Sequence, residues 1–220
     1  METRLEQAFT PAEIEDCSFR IIDSEIPEPR RYAGLLWQIA RRCIHAMGDT
    51  AIVSSLELHE QALYSGLEAM RKGKEIFTDT RMLAAGLVER RMKPLGIKVV
   101  PLMELPDLEK QALERGTTRS AAAIQLVASR LNGKIIAIGN APTALLSLLN
   151  ELENFKKRKM NVKPALVIGM PVGFVNAAQS KEMLAKSEWP HFTLQGRKGG
   201  SAVAAACINA MAEMILKDQT

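Results

Sequence analysis

Two apolar runs constrain this chain most. Residues 134–139 read KIIAIG and residues 165–170 read ALVIGM. Neither run alternates apolar with polar side chains. A strand apolar on both sides is buried on both faces, the condition of a strand inside a parallel sheet covered by helices. The first run leads through Gly139-Asn140-Ala141-Pro142 to a helical pattern. The second leads through Gly169, Pro171 and Gly173 to another, from about Ala177. Farther on, Gly196-Arg197-Lys198-Gly199-Gly200-Ser201 opens one more helix. Glycines allow close backbone approach, helix starts offer free N–H groups to anions, and Arg197 and Lys198 add positive charge. A single loop of this kind is more often an ordinary solvated turn; its repetition along one chain favours a site.

The rest of the chain extends the alternation. Thr10, Pro11 and Glu13 form a capping-box helix start, and this helix should run to about Asp23, ahead of Pro27 and Pro29. A second helix is expected over 29–47, with Gly48 after its end. Strands are predicted over 50–58, 75–79 and 97–102 besides the two apolar runs. Helices are predicted over 59–72, 81–91, 106–115 and 117–131. The fold class implied is α/β: a flavodoxin-like, three-layer α/β/α sandwich with a roughly five-stranded parallel sheet and an N-terminal helical segment. Its 220 residues suit one domain, 1–220, divided into a helical segment 1–48 and a doubly wound core 49–220. Aromatic residues are only 5%, which disfavours a β-sandwich. The basic run 156–159 reads as a solvated helix end, and Met211 and Met214 as core.

In doubly wound sheets ligands bind beyond the carboxyl ends of the strands. Asp79, Gly139-Asn140-Ala141 and the loop with Gly173 all fall there. Arg81, Arg119, Arg197 and Lys198 follow such loops or open helices. His45 is expected in the last turn of the second helix, with Arg41 and Arg42 four and three residues before it and near its side. A lone histidine at a helix end is more often a solvated one. Here it stands among cations, which suits a bound polyanion.

Several classes fall away. No Walker loop is present and no G-x-G-x-x-G follows the first strand. A Ser–His–Asp set could be written from Ser120, His45 and Asp79, but no nucleophile elbow supports it. His45, His59 and His191 form no close ligand cluster in sequence, so no metal site is expected. A formal charge of +4 is too mild and dispersed for nucleic acid. No run approaches the roughly 18 apolar residues of a membrane span. Three widely spaced cysteines, Cys17, Cys43 and Cys207, and an acidic first stretch without an apolar core point to a cytoplasmic protein without a signal peptide. The remaining fit is an isomerase acting on a large polycarboxylate.

Seven stretches carry a specific resemblance across nearly the whole chain. They are Ser18-Phe19 with Ile22 and Glu25; residues 42–49 (RCIHAMGD); Thr78-Asp79 with Arg81-Met82; Thr118-Arg119-Ser120-Ala121-Ala122; residues 138–143 (IGNAPT); residues 171–175 (PVGFV) with Ser180-Lys181; and the 196–201 turn. The sequence closely resembles the precorrin-8X (cobalt-precorrin-8) methylmutases. Asn176 and Gln179 depart from the family's commoner Gly and Glu. The resemblance implies a homodimeric isomerase of corrin biosynthesis that moves a methyl group from C-11 to C-12 of a tetrapyrrole polycarboxylate. No cofactor is implied. His45 would protonate or hydrogen-bond the macrocycle. Ser18, Arg42, Asp79, Arg81, Arg119, Ser120, Gly139, Asn140, Ala141, Gly173, Arg197, Lys198, Gly199 and Gly200 would bind substrate. A non-catalytic tetrapyrrole carrier and a flavin- or nucleotide-binding domain are the alternatives. Apolar residues of the first two helices, among them Ile14, Phe19, Ile22, Leu35, Leu36, Trp37 and Ile39, suggest a dimer interface, against the option that they fold back on their own sheet.

Overall fold

The structure is a computed structural model that describes residues 10–218. The signal-peptide reading of residues 1–9 lies outside them. Ten α-helices and six strands are present among the described residues. The helices are α1 (Pro11–Glu25), α2 (Gly34–Met47), α3 (Glu60–Arg71), α4 (Arg81–Gly86), α5 (Glu89–Met92), α6 (Leu108–Glu114), α7 (Arg119–Val127), α8 (Pro142–Lys157), α9 (Ala177–Ala185) and α10 (Ser201–Lys217). The strands are β1 (Leu56–Leu58), β2 (Ile76–Thr78), β3 (Val99–Pro101), β4 (Ile135–Ile138), β5 (Leu166–Gly169) and β6 (His191–Leu194).

The sheet order is β1-β6-β5-β4-β2-β3. All neighbours are parallel except β1, which runs antiparallel to β6. Renumbering the five parallel strands in chain order gives 2-1-3-4-5, the flavodoxin-like order. The expected fold class therefore stands, with one strand added. β6 is missing from the sequence reading because it is only four residues long and its polar His191 and Thr193, buried in the sheet, keep it from reading as an apolar run. Residues 50–58 are not one strand: Thr50–Ser54 is a 3-10 helix, capped by the Asp49 side chain, and only Leu56–Leu58 pairs. The helix expected over 81–91 is two short ones, broken at Leu87 and Val88.

Successive strand residues serve opposite layers, as the pleat requires. Ile135, Ala137, Leu166 and Ile168 pack with residues of α1, α2, α3, α4, α5 and α10. Ile136, Ile138 and Val167 pack with α6, α7, α8 and α9. The capping box on α1 is formed: Thr10 accepts from the Glu13 N–H, and Glu13 accepts from the Thr10 N–H at 2.7 Å. Gly48 ends α2 in the left-handed conformation. Met211 and Met214 are core, and Lys156 pairs on the surface with Glu188.

The apolar surplus assigned to α1 and α2 is mostly spent inside the chain. Phe19, Ile22, Trp37 and Ile39 are buried, and α2 packs along α10. Ile14, Ile21 and Leu35 remain exposed.

Candidate active site

The carboxyl ends of β2, β4, β5 and β6 meet on one rim. The switch point of the 2-1-3-4-5 order lies between β2 and β4, where the sheet parts to admit ligands in many doubly wound proteins. Here a side chain of the chain itself fills it. The Asp79 carboxylate, almost fully buried, accepts the N–H groups of Gly139, Asn140 and Ala141 at 3.0, 2.8 and 3.0 Å. Burial pushes this carboxyl above its usual range, and the three donors pull against that shift. An internal anion thus takes the donors that would otherwise cradle a phosphate. The sequence reading gave Asp79, Gly139, Asn140 and Ala141 to the substrate; the structure joins their polar groups to one another.

The other half of the rim is built from the loops after β5 and β6. A Cβ on Gly139 would stand 2.8 Å from Ser201 Cα, so β4 and the start of α10 meet at glycine distance. A Cβ on Gly199 would stand 2.3 Å from the Met170 carbonyl oxygen. Gly200 N–H donates to that oxygen at 2.9 Å, and Gly173 N–H donates to the Arg197 carbonyl at 3.1 Å. Asn176 holds the left-handed conformation at φ 61°, which asparagine tolerates better than most residues other than glycine. These bonds clasp the loop of Gly173 to the turn of Arg197, Lys198, Gly199 and Gly200.

Lys181, absent from the substrate set, belongs to this clasp. It is 0% exposed, and its Nζ donates to the Lys198 carbonyl at 2.6 Å. No carboxylate pairs with it among the described residues. Burial lowers its pKa to about 8. The signal was a lysine on the apolar face of α9, in line with Ala177, Ser180 and Leu184. Above the clasp Phe174 is 82% and Val175 77% exposed, and the Arg197 guanidinium lies 5.2 Å from the Phe174 ring centroid.

His45 stands beside this half. It is exposed in the last turn of α2, edge-on to Phe19 at 5.7 Å between centroids. With Ser18, Ile21, Ile22, Glu25, Asp49 and Thr50 it lines a groove of about 370 Å³. Ser18 donates its hydroxyl to the Ile14 carbonyl. Asp49, four residues after His45, pairs with Lys198 and so joins the groove to the cation turn.

The remaining cations are divided. Arg42 does not stand free beside His45. It is held by Glu15 and Glu213, and Glu213 also binds Arg91. Arg41 is held by Asp23 at 2.9 Å and stacks on Phe19 at 4.3 Å. Both expected free guanidiniums are therefore neutralised by side chains far off in sequence. Arg81 and Arg119 line a separate cavity of about 660 Å³, paired with Glu104 and Glu109 at 3.2 Å each. Ser120 sits in the first turn of α7, whose cap Thr118 donates to Thr143 of α8 at 3.0 Å.

The histidines also differ from expectation. His59 and His191 do approach each other, at 4.9 Å between ring centroids, with Glu57 beside them. Burial lowers the His191 pKa. This cluster lies at the opposite end of the sheet from His45.

The family model for precorrin-8X methylmutase matches residues 13–214. The chain belongs to the precorrin-8X methylmutase family. The cobalt-precorrin-8 methylmutase of Leptospira interrogans is 40% identical over 206 residues, 90% of this chain and 91% of that one. The precorrin-8X methylmutase of Pseudomonas aeruginosa is 42% identical over 179 residues, 80% and 83% of the two chains. A solved precorrin-8X methylmutase from Thermus thermophilus superimposes with a TM-score of 0.83 at 34% identity, covering 94% of this chain and 99% of that one. The chain is accordingly an isomerase of corrin biosynthesis, not a carrier. No helix among its described residues is long and apolar enough to cross a membrane.

Proposed function

We propose that the chain moves the methyl group from C-11 to C-12 of precorrin-8X or cobalt-precorrin-8, with His45 as proton donor to the macrocycle. The observation that carries this reading is the Asp49–Lys198 ion pair, which sets the exposed imidazole beside the turn of Arg197 and Lys198. A flat macrocycle with acidic arms needs that combination. Phe174 and Val175 offer apolar surface to the ring, and the Arg197 guanidinium offers donors to the carboxylates. Lys181 places a further positive charge beneath the same turn.

Methyl migration within one molecule needs no second substrate. A proton given by His45 changes the tautomer of the conjugated system and lowers the barrier to migration. Because the reaction is an isomerisation, the product returns a proton and the imidazole is regenerated. Ser18, on the same groove, would orient an acidic side chain near His45, and Arg81, Arg119 and Ser120, away from it, would hold more distant acidic arms. General acid–base help is worth about 10²–10⁴-fold, so His45→Ala should lose turnover by that factor and keep most of its product affinity. Turnover within twofold of the parent would remove His45 from this role.

We further infer that residues 1–220 act as one catalytic unit in the cytoplasm and that two copies associate. The exposed Ile21 on the His45 groove, with Ile14 and Leu35 exposed elsewhere on the first two helices, supports a partner on that face. Sedimentation of the active species as a single 24.2 kDa chain would overturn the dimer.

A further inference from the structure

At the end of the sheet away from the rim, three potential ligands converge from two distant parts of the chain. Glu57 lies in β1, His59 directly follows it as the N-cap of α3, and His191 is the first residue of β6. The antiparallel pairing sets Leu58 opposite Phe192, so His59 and His191 stand side by side just beyond that pair. One nitrogen from each imidazole and one carboxylate oxygen all lie within 4.8 Å of one another.

The environment of His191 sets its chemistry. Its Nδ1 is 2.7 Å from the Trp189 carbonyl, which can only accept, so that nitrogen carries the proton. Its Nε2 is then a lone-pair donor. This atom is buried, in a side chain only 5% exposed, and has no hydrogen-bond partner. A buried acceptor without a partner is uncommon in folded proteins. An imidazole fixed through its other nitrogen by a carbonyl is the usual arrangement of a metal-ligating histidine. The adjoining cleft of about 480 Å³, lined by His59, Gln61, Ala185, Ser187 and His191, leaves room for water ligands and a path for an ion.

We propose that Glu57, His59 and His191 form a binding site for a divalent transition-metal ion of the zinc, cobalt or nickel type. Two imidazoles with one carboxylate suit such ions, whereas magnesium and calcium require all-oxygen sets. The ligand atoms must draw in by somewhat over an ångström, which His59, exposed, and Glu57, half-buried, can do by changing rotamer while His191 stays fixed. The ion would fasten the edge strand β1 and the start of α3 to β6. It lies at the wrong end of the sheet to touch the reacting macrocycle.

Zinc ion itself is the probe, titrated into the untagged full chain against a chromogenic chelator, with thermal unfolding followed in parallel. The expected result is one zinc per chain and a rise in Tm. His59→Ala and Glu57→Gln should each weaken binding at least tenfold while circular dichroism and methylmutase turnover stay at parent levels. His191→Gln would remove the third ligand but could disturb the buried start of β6, so the two more accessible positions carry the test. Absence of zinc binding below about 1 mM overturns the proposal. So does equal affinity in the parent and both variants, which would place the zinc elsewhere on the chain.

Discussion

The two halves of the carboxyl rim each bury one ionisable side chain, and they satisfy it in opposite ways. At the β2–β4 end, the Asp79 carboxylate has three backbone donors on it. At the β5–β6 end, Lys181 has one carbonyl and no counter-charge among the described residues. The first half is closed: its anion is already in place, and the amides of Gly139, Asn140 and Ala141 are taken by it. The second half keeps an uncompensated positive charge directly beneath Arg197 and Lys198. One fold thus fills the usual nucleotide position with its own carboxylate and leaves its buried cation two strands along the sheet.

The largest effect should come from breaking the closed half. Asp79→Ala strands three N–H groups and should destabilise the chain by about 3–5 kcal/mol, read from urea unfolding. Asp79→Asn keeps one acceptor oxygen and should cost less than Asp79→Ala. Equal stability of all three chains would show that the switch point is not held by this carboxylate.

The open half should respond with the opposite sign. Lys181→Met removes a charge that burial disfavours, so at pH 7 the variant should be the more stable chain by about 1–2 kcal/mol after loss of one hydrogen bond. The pH dependence follows from linkage. An unfolded lysine holds its proton to about pH 10.4, whereas folded Lys181 releases it near pH 8, so between these values the unfolded state binds more protons. The parent should therefore gain stability as pH rises through this window, and its deficit against Lys181→Met should shrink. Parallel stability curves from about pH 7 to 10.5 would mean that Lys181 is not buried as a charge.

Local features were legible in the sequence wherever neighbouring residues decide them. Thr10, Pro11 and Glu13 form their cap because all the groups lie within one turn. Residues 134–139 and 165–170 become β4 and β5 because a run apolar on both sides has few other places to go. The family was legible too, since its motifs are contiguous, and so was the placement of Gly173 at the rim; that His45 stands beside it was not, because the Asp49–Lys198 pair spans 149 positions.

Tertiary structure decided what distant residues share. Arg42 meets Glu213 across 171 positions, and Asp79 meets Gly139 across 60. No local pattern shows that an arginine in a motif will be neutralised, or that an aspartate at a strand end will turn inward onto its neighbours' amides. The same holds for His59 and His191, which look isolated along the chain and become neighbours only when β1 pairs with β6. Propensity, capping and burial pattern act over a turn or a strand. Charge pairing and ligand convergence act through space, and are settled only once the sheet has brought the ends of its strands together.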